Sequence, residues 1–91
     1  MAIMNITDSI YFRNIFPELT DIQRETLILF CTGFSLKDIV LYRSVSVQSA
    51  TKTLSECIRR YDVPSREALR NVFLIRLLVG GRVYLMPLAN D

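Results

Sequence analysis

The chain has 91 residues, 51% of them hydrophobic, none of them histidine, and a formal net charge of +2. That length makes one small domain and leaves no room for separate substrate and cofactor lobes. With no histidine, no phosphate-cradling glycine loop and no clustered carboxylates, general acid–base chemistry lacks its usual groups, so neither enzymatic activity nor a cofactor is expected.

The charge is unevenly placed. Residues 1–36 hold Arg13 and Arg24 against Asp8, Glu18, Asp21 and Glu25. Residues 37–70 hold Lys37, Arg43, Lys52, Arg59, Arg60, Arg66 and Arg70 against Asp38, Glu56, Asp62 and Glu67. The basic excess falls on the middle and later part, which hints at a polyanion partner, although ordinary surface charge would also produce it. Cys31 and Cys57 have apolar neighbours and no CxxC spacing. A metal site is not expected, and both read as buried thiols of a reducing compartment. "MAIMNITDSIYF" lacks the basic flank and long apolar run of a signal peptide. The most apolar stretch, 72–88, is interrupted by Arg76, Arg82 and a Gly-Gly pair and does not read as a membrane span. The expected location is therefore the cytoplasm, with no membrane partner.

In chain order, residues 1–17 read as a short lead-in helix stopped by Pro17, with Thr7 or Asp8 as its cap and Ile10, Tyr11, Ile15 and Phe16 available for burial. "LTDIQRETLILFCTGFS" predicts a helix capped by Thr20, with Gln23 completing a capping box and Gly33 at the left-handed closing position. Its apolar stripe is wider than a lone amphipathic helix needs. "SLKDIVLYRS" predicts a second, short helix capped by Ser35 with Asp38, burying Leu36, Ile39 and Val40, with Tyr42 as a further candidate.

The hydroxyl-rich stretch "SVSVQSATKT" follows. Ser46 is a natural N-cap, and Val47, Ala50, Leu54, Cys57, Ile58 and Tyr61 fall on one helical stripe. The opposite face carries Gln48, Ser49, Thr51, Lys52, Ser55, Glu56, Arg59 and Arg60, small and polar first, basic later. "VPSREALRNVFLIRLLVGG" predicts a further helix from the Ser65 cap to Gly80-Gly81. Its apolar residues Leu69, Val72, Phe73, Leu74, Ile75, Leu77, Leu78 and Val79 exceed what one core can use, and the surplus suits a second copy of the same helix. The tail, 80–91, has β-type residues and is expected to be extended. The expected fold is thus all-α: a lead-in at 1–17, a four-helix domain at 18–79 and a tail at 80–91. Two helices joined by a tight turn, the second with an exposed polar face, make a helix-turn-helix, whose second helix can enter the DNA major groove.

Residues 19–68 resemble the LuxR/GerE-type DNA-binding domain of bacterial transcription regulators. The resemblance rests on "LTDIQRETL", "CTGFSLKDIV" and "VSVQSATKTLSECIRRYDVPSREAL" in that order and spacing. It implies a four-helix domain, dimerisation through the last helix and binding to paired half-sites in double-stranded DNA. The chain departs from the family pattern in several places. Thr51 stands where the family usually has lysine, Thr53 for histidine, Arg43 for leucine and Asp62 for glycine. Fewer cations on the reading face imply a smaller salt dependence. The layout is similar to the stand-alone members, without a sensor or receiver domain.

By the resemblance, Thr51, Lys52 and Ser55 would reach base edges, Lys52 being suited to guanine acceptors. Ser46 and Ser49 would meet phosphates, and Gln48, Arg59, Lys37 and Arg43 are looser backbone candidates. In the bland alternative, the serines only cap the helix and the cations form a solvated face. A competing reading makes the chain an interaction module that pairs with another transcription regulator or with RNA polymerase.

Overall fold

A computed structural model describes residues 10–85, with side chains described through residue 80. The expected caps at Thr7 and Asp8, and the tail beyond Leu85, lie outside the described residues. Every regular element among the described residues is helical. They are α1 (Ile10–Ile15), α2 (Asp21–Cys31), α3 (Leu36–Arg43), α4 (Val47–Tyr61) and α5 (Arg66–Leu85).

The three central helices begin as the local signals dictate. The Thr20 hydroxyl accepts from the Gln23 N–H at 3.1 Å, and the Gln23 side chain accepts from the Thr20 N–H at 3.0 Å. Ser35 and Asp38 form the same reciprocal pair at 3.1 Å each. Together these satisfy donors that a helix start leaves orphaned. Gly33 closes α2 at φ 112°, where a side chain would be strained.

α2 lies at the centre, packed on α4, α5 and α3. Its broad apolar surface is thereby used on several sides: Leu27, Ile28, Leu29 and Phe30 are all buried. Ile39 of α3, Ala50, Leu54 and Cys57 of α4, and Leu69 and Phe73 of α5 complete the core. Cys31 is only half-buried, unlike Cys57, and both are free thiols.

The lead-in segment belongs to this core. Phe16 is fully buried, stacked on Phe73 at 5.9 Å between centroids and edge-on to Tyr61 at 6.5 Å. Arg24, itself buried, donates to the Phe16 and Leu19 carbonyls at 3.2 and 2.7 Å and pairs with Asp21 at 2.7 Å. Arg76 of α5 reaches back to the Ile15 carbonyl at 2.7 Å and to the Glu18 carboxylate at 2.6 Å. That pairing holds the Glu18 carboxyl below the usual carboxylate range. Ile10, expected to pack inward, is exposed instead. It opens the helix a turn ahead of the buried Ile15 and Phe16.

The expected stop at Gly80-Gly81 does not occur. α5 continues through both glycines to Leu85, so the boundary expected after Val79 falls inside a helix, and residues 80–85 are not extended. The reason at Gly80 is contact: a Cβ there would run into the Ile15 side chain where α1 lies against α5. The glycine serves close helix approach rather than termination.

Candidate nucleic-acid interface

α3 and α4 are joined by the three residues Ser44–Ser46. Ser44 takes the left-handed conformation (φ 56°, ψ 48°) and caps α3. Ser46 caps α4, its hydroxyl accepting from the Ser49 N–H at 3.0 Å. The chain reverses quickly here because each flanking helix is closed by its own local cap.

α4 presents two faces. Ala50, Thr53, Leu54 and Cys57 are buried against α2, α3 and α5. Thr53 donates its hydroxyl to the Ser49 carbonyl at 3.0 Å, so it takes no part in the outer surface. On the opposite side Gln48, Lys52, Ser55 and Arg59 are all exposed. Their spacing of four, three and four residues puts them in one row about 16 Å long, at 1.5 Å per residue. Among the described residues, none of these four side chains has a hydrogen-bonded or ion-paired partner. Ser49 is exposed on one flank, and Thr51 is half-buried on the other. Glu56 turns away from the row and accepts from Gln23 Nε2 at 3.2 Å. Lys37 is exposed on α3. Its neighbour Asp38 is held below the usual carboxylate range by the Ser35 backbone and hydroxyl bonds of the cap.

Arg43 requires a correction. It does not join this surface. Its guanidinium points into α2, donating to the Thr26 hydroxyl at 3.1 Å and pairing with Glu25 at 3.4 Å. The position is core-facing, as an apolar residue there would be, and Thr26 and Glu25 make the charge acceptable. Arg60 is also partly engaged, donating to the Glu18 carbonyl at 3.2 Å.

Val47 requires another. It shares the periodicity of the buried stripe yet is 53% exposed. As the first residue of α4 it sits at the end of the helix, before the contacts that cover Ala50 and Leu54. Periodicity gives a residue's side of the helix but not how far along that side the core extends.

The expected interface on α5 divides in two. Leu69 and Phe73 are core residues and cannot meet a second chain, while Val72 and Leu77 pack half-buried against the core. The stripe left open is Leu74, Ile75, Leu78 and Val79, with Leu78 68% exposed. Burial pushes both thiols up to about 12, so neither is ionised near neutrality. No group of metal-ligating side chains occurs among the described residues, and no helix there is long and apolar enough to cross a membrane.

In comparisons with known proteins, the chain is similar to protein TraJ of Escherichia coli, 27% identical over 84 residues. The matched region is 92% of this chain and 56% of that protein, so the chain spans little more than half its length. No family model and no solved structure matches.

Proposed function

We propose that the chain is a sequence-specific DNA-binding transcription regulator of the LuxR/GerE helix-turn-helix type, acting as a homodimer through α5 and reading the major groove with α4. The observation that carries this is the row Gln48, Lys52, Ser55 and Arg59: exposed, without a hydrogen-bonded or ion-paired partner among the described residues, free of carboxylates, and set on a helix that directly follows a three-residue turn. Side chains that donate and accept without being spent inside the fold suit base edges and phosphates. Ser49 and Thr51 flank the row, Ser46 stands at its start, and Lys37 is exposed on α3 as a further backbone candidate. A helix fits the roughly 12 Å width of the major groove.

Fluorescence anisotropy with mixed-sequence duplex across a salt series tests this. Affinity should fall linearly in log–log form, with a slope set by the phosphates neutralised. A folded chain that binds no duplex at low salt would remove the reading.

A second reading rests on the open stripe Leu74, Ile75, Leu78 and Val79. The same surface could join this chain to another transcription regulator instead of to itself. Leu78→Asp tests the homodimer. Its side chain is largely exposed, so the monomer should stay helical by circular dichroism while the dimer is lost in light scattering. A wild-type chain that is already monomeric would shift the proposal to the heteromeric form.

A further inference from the structure

Resting on the DNA-binding reading, we infer that Val47 is a specificity-determining residue whose isopropyl group packs on the 5-methyl of a thymine. The observation is the exposure of an apolar side chain, 53% open, at the first residue of α4. Ala50 and Leu54, on the same stripe, are fully buried. The fold therefore makes little use of Val47, and water gains nothing from it.

The surroundings select the occupant. Gln48 follows Val47 in the chain, and Lys52 stands one turn beyond Gln48, both exposed. Ser46 caps the helix start here, its hydroxyl oxygen accepting from the Ser49 N–H at 3.0 Å. A protein partner would look for several adjacent apolar groups, and α5 offers those elsewhere. One branched aliphatic group next in the chain to the exposed Gln48 suits a methyl set in a polyanionic groove. In the major groove only thymine presents such a methyl. The first residues of a recognition helix are also those that approach base edges. The inferred ligand class is duplex with thymine at one fixed place in each half-site.

The test begins with duplexes selected from a randomised library by the full-length chain. Each thymine of the selected site is then replaced, one at a time, by deoxyuridine, which removes only the methyl. One replacement should weaken the wild-type chain about fourfold, the order expected for one buried methyl. Val47→Ala should bind the original site more weakly and respond less to that replacement, and Val47→Asn, which carries no methyl, should be indifferent to it. Thermal melts of both variants confirm that the fold is retained. Selected sites in which no thymine is methyl-sensitive would overturn the inference while leaving DNA binding intact. So would Val47→Ala binding at full affinity, which would free the side chain for a protein partner. Failure of the wild-type chain to bind any duplex would sink the parent reading as well, and is distinguishable on that ground.

Discussion

The cations at the two ends of the molecule are used in opposite ways. Around the lead-in segment, Arg24 ties the nearby Phe16 and Leu19 carbonyls, Arg76 reaches the Ile15 carbonyl and the Glu18 carboxylate from the far side of the chain, and Arg76 also lies over the Tyr61 ring at 5.3 Å. Arg70 likewise covers the Phe30 ring at 4.3 Å, and Arg43 is spent on Thr26 and Glu25. Along α4, Lys52 and Arg59 have no hydrogen-bonded or ion-paired partner among the described residues. Net charge therefore says little about a polyanion surface until the internally engaged arginines are set aside. The informative charges are those that folding leaves free.

That contrast can be broken or sharpened by substitution. The largest effect is expected on the engaged side. Phe16→Ala should cost about 3–5 kcal/mol in urea unfolding, as for other buried aromatics. A loss below about 1 kcal/mol would mean the lead-in is not part of the cooperative core. Next, Arg43→Met and Lys52→Ala should dissociate stability from binding. Arg43→Met leaves Glu25 and Thr26 without their partner and should cost about 1–3 kcal/mol with the salt slope unchanged. Lys52→Ala should stay within about 0.5 kcal/mol in stability and reduce the slope by about 1. The reverse pattern would return Arg43 to the binding surface. The Arg76–Glu18 pair predicts a pH effect of known sign. Glu18 titrates lower in the folded chain than its ordinary 4.5, so the pair's contribution is complete above that value and is lost as pH falls through the folded value. Wild-type stability should therefore fall more steeply below pH 4.5 than that of Arg76→Met, and parallel curves would deny the linkage. The smallest effect is at the end of α4, where Asp62 sits at φ 53°. Asp62→Gly should stabilise by about 0.5–1 kcal/mol, because glycine occupies that region without steric cost. A loss would mean the carboxylate does something there that its conformation alone does not reveal.

Much of the helical plan was legible because its signals are local. Thr20 with Gln23, Ser35 with Asp38, and Ser46 before Val47 each declare a helix start within a few residues. The all-helical class and the polar outer face of α4 follow from those starts and the period between them. The features that escaped depend on contacts far along the chain. Phe16 reads as a residue near the end of a minor helix until Phe73 and Tyr61 are seen around it. Arg43 reads as a phosphate ligand until Glu25 and Thr26 are placed opposite. Gly80 is ambiguous in principle, since a missing Cβ marks either a helix end or a close crossing, and only the neighbour, Ile15, decides. On α5, continuous hydrophobicity conceals which side faces the core, so Leu69 and Phe73 were grouped with the genuinely open Leu74 and Leu78.

The seating of Phe16 between Tyr61 and Phe73 also bears on the order in which the protein assembles. A chain leaves the ribosome N-terminus first. Phe16 is therefore made early, yet its ring partners and the Arg76 hook arrive only with α4 and α5. The capped helices between can form as they emerge, but their shared interior stays open at one side until the last helix comes free. Local structure accumulates during synthesis, whereas closure of this core waits for α5, which joins α1 to the rest.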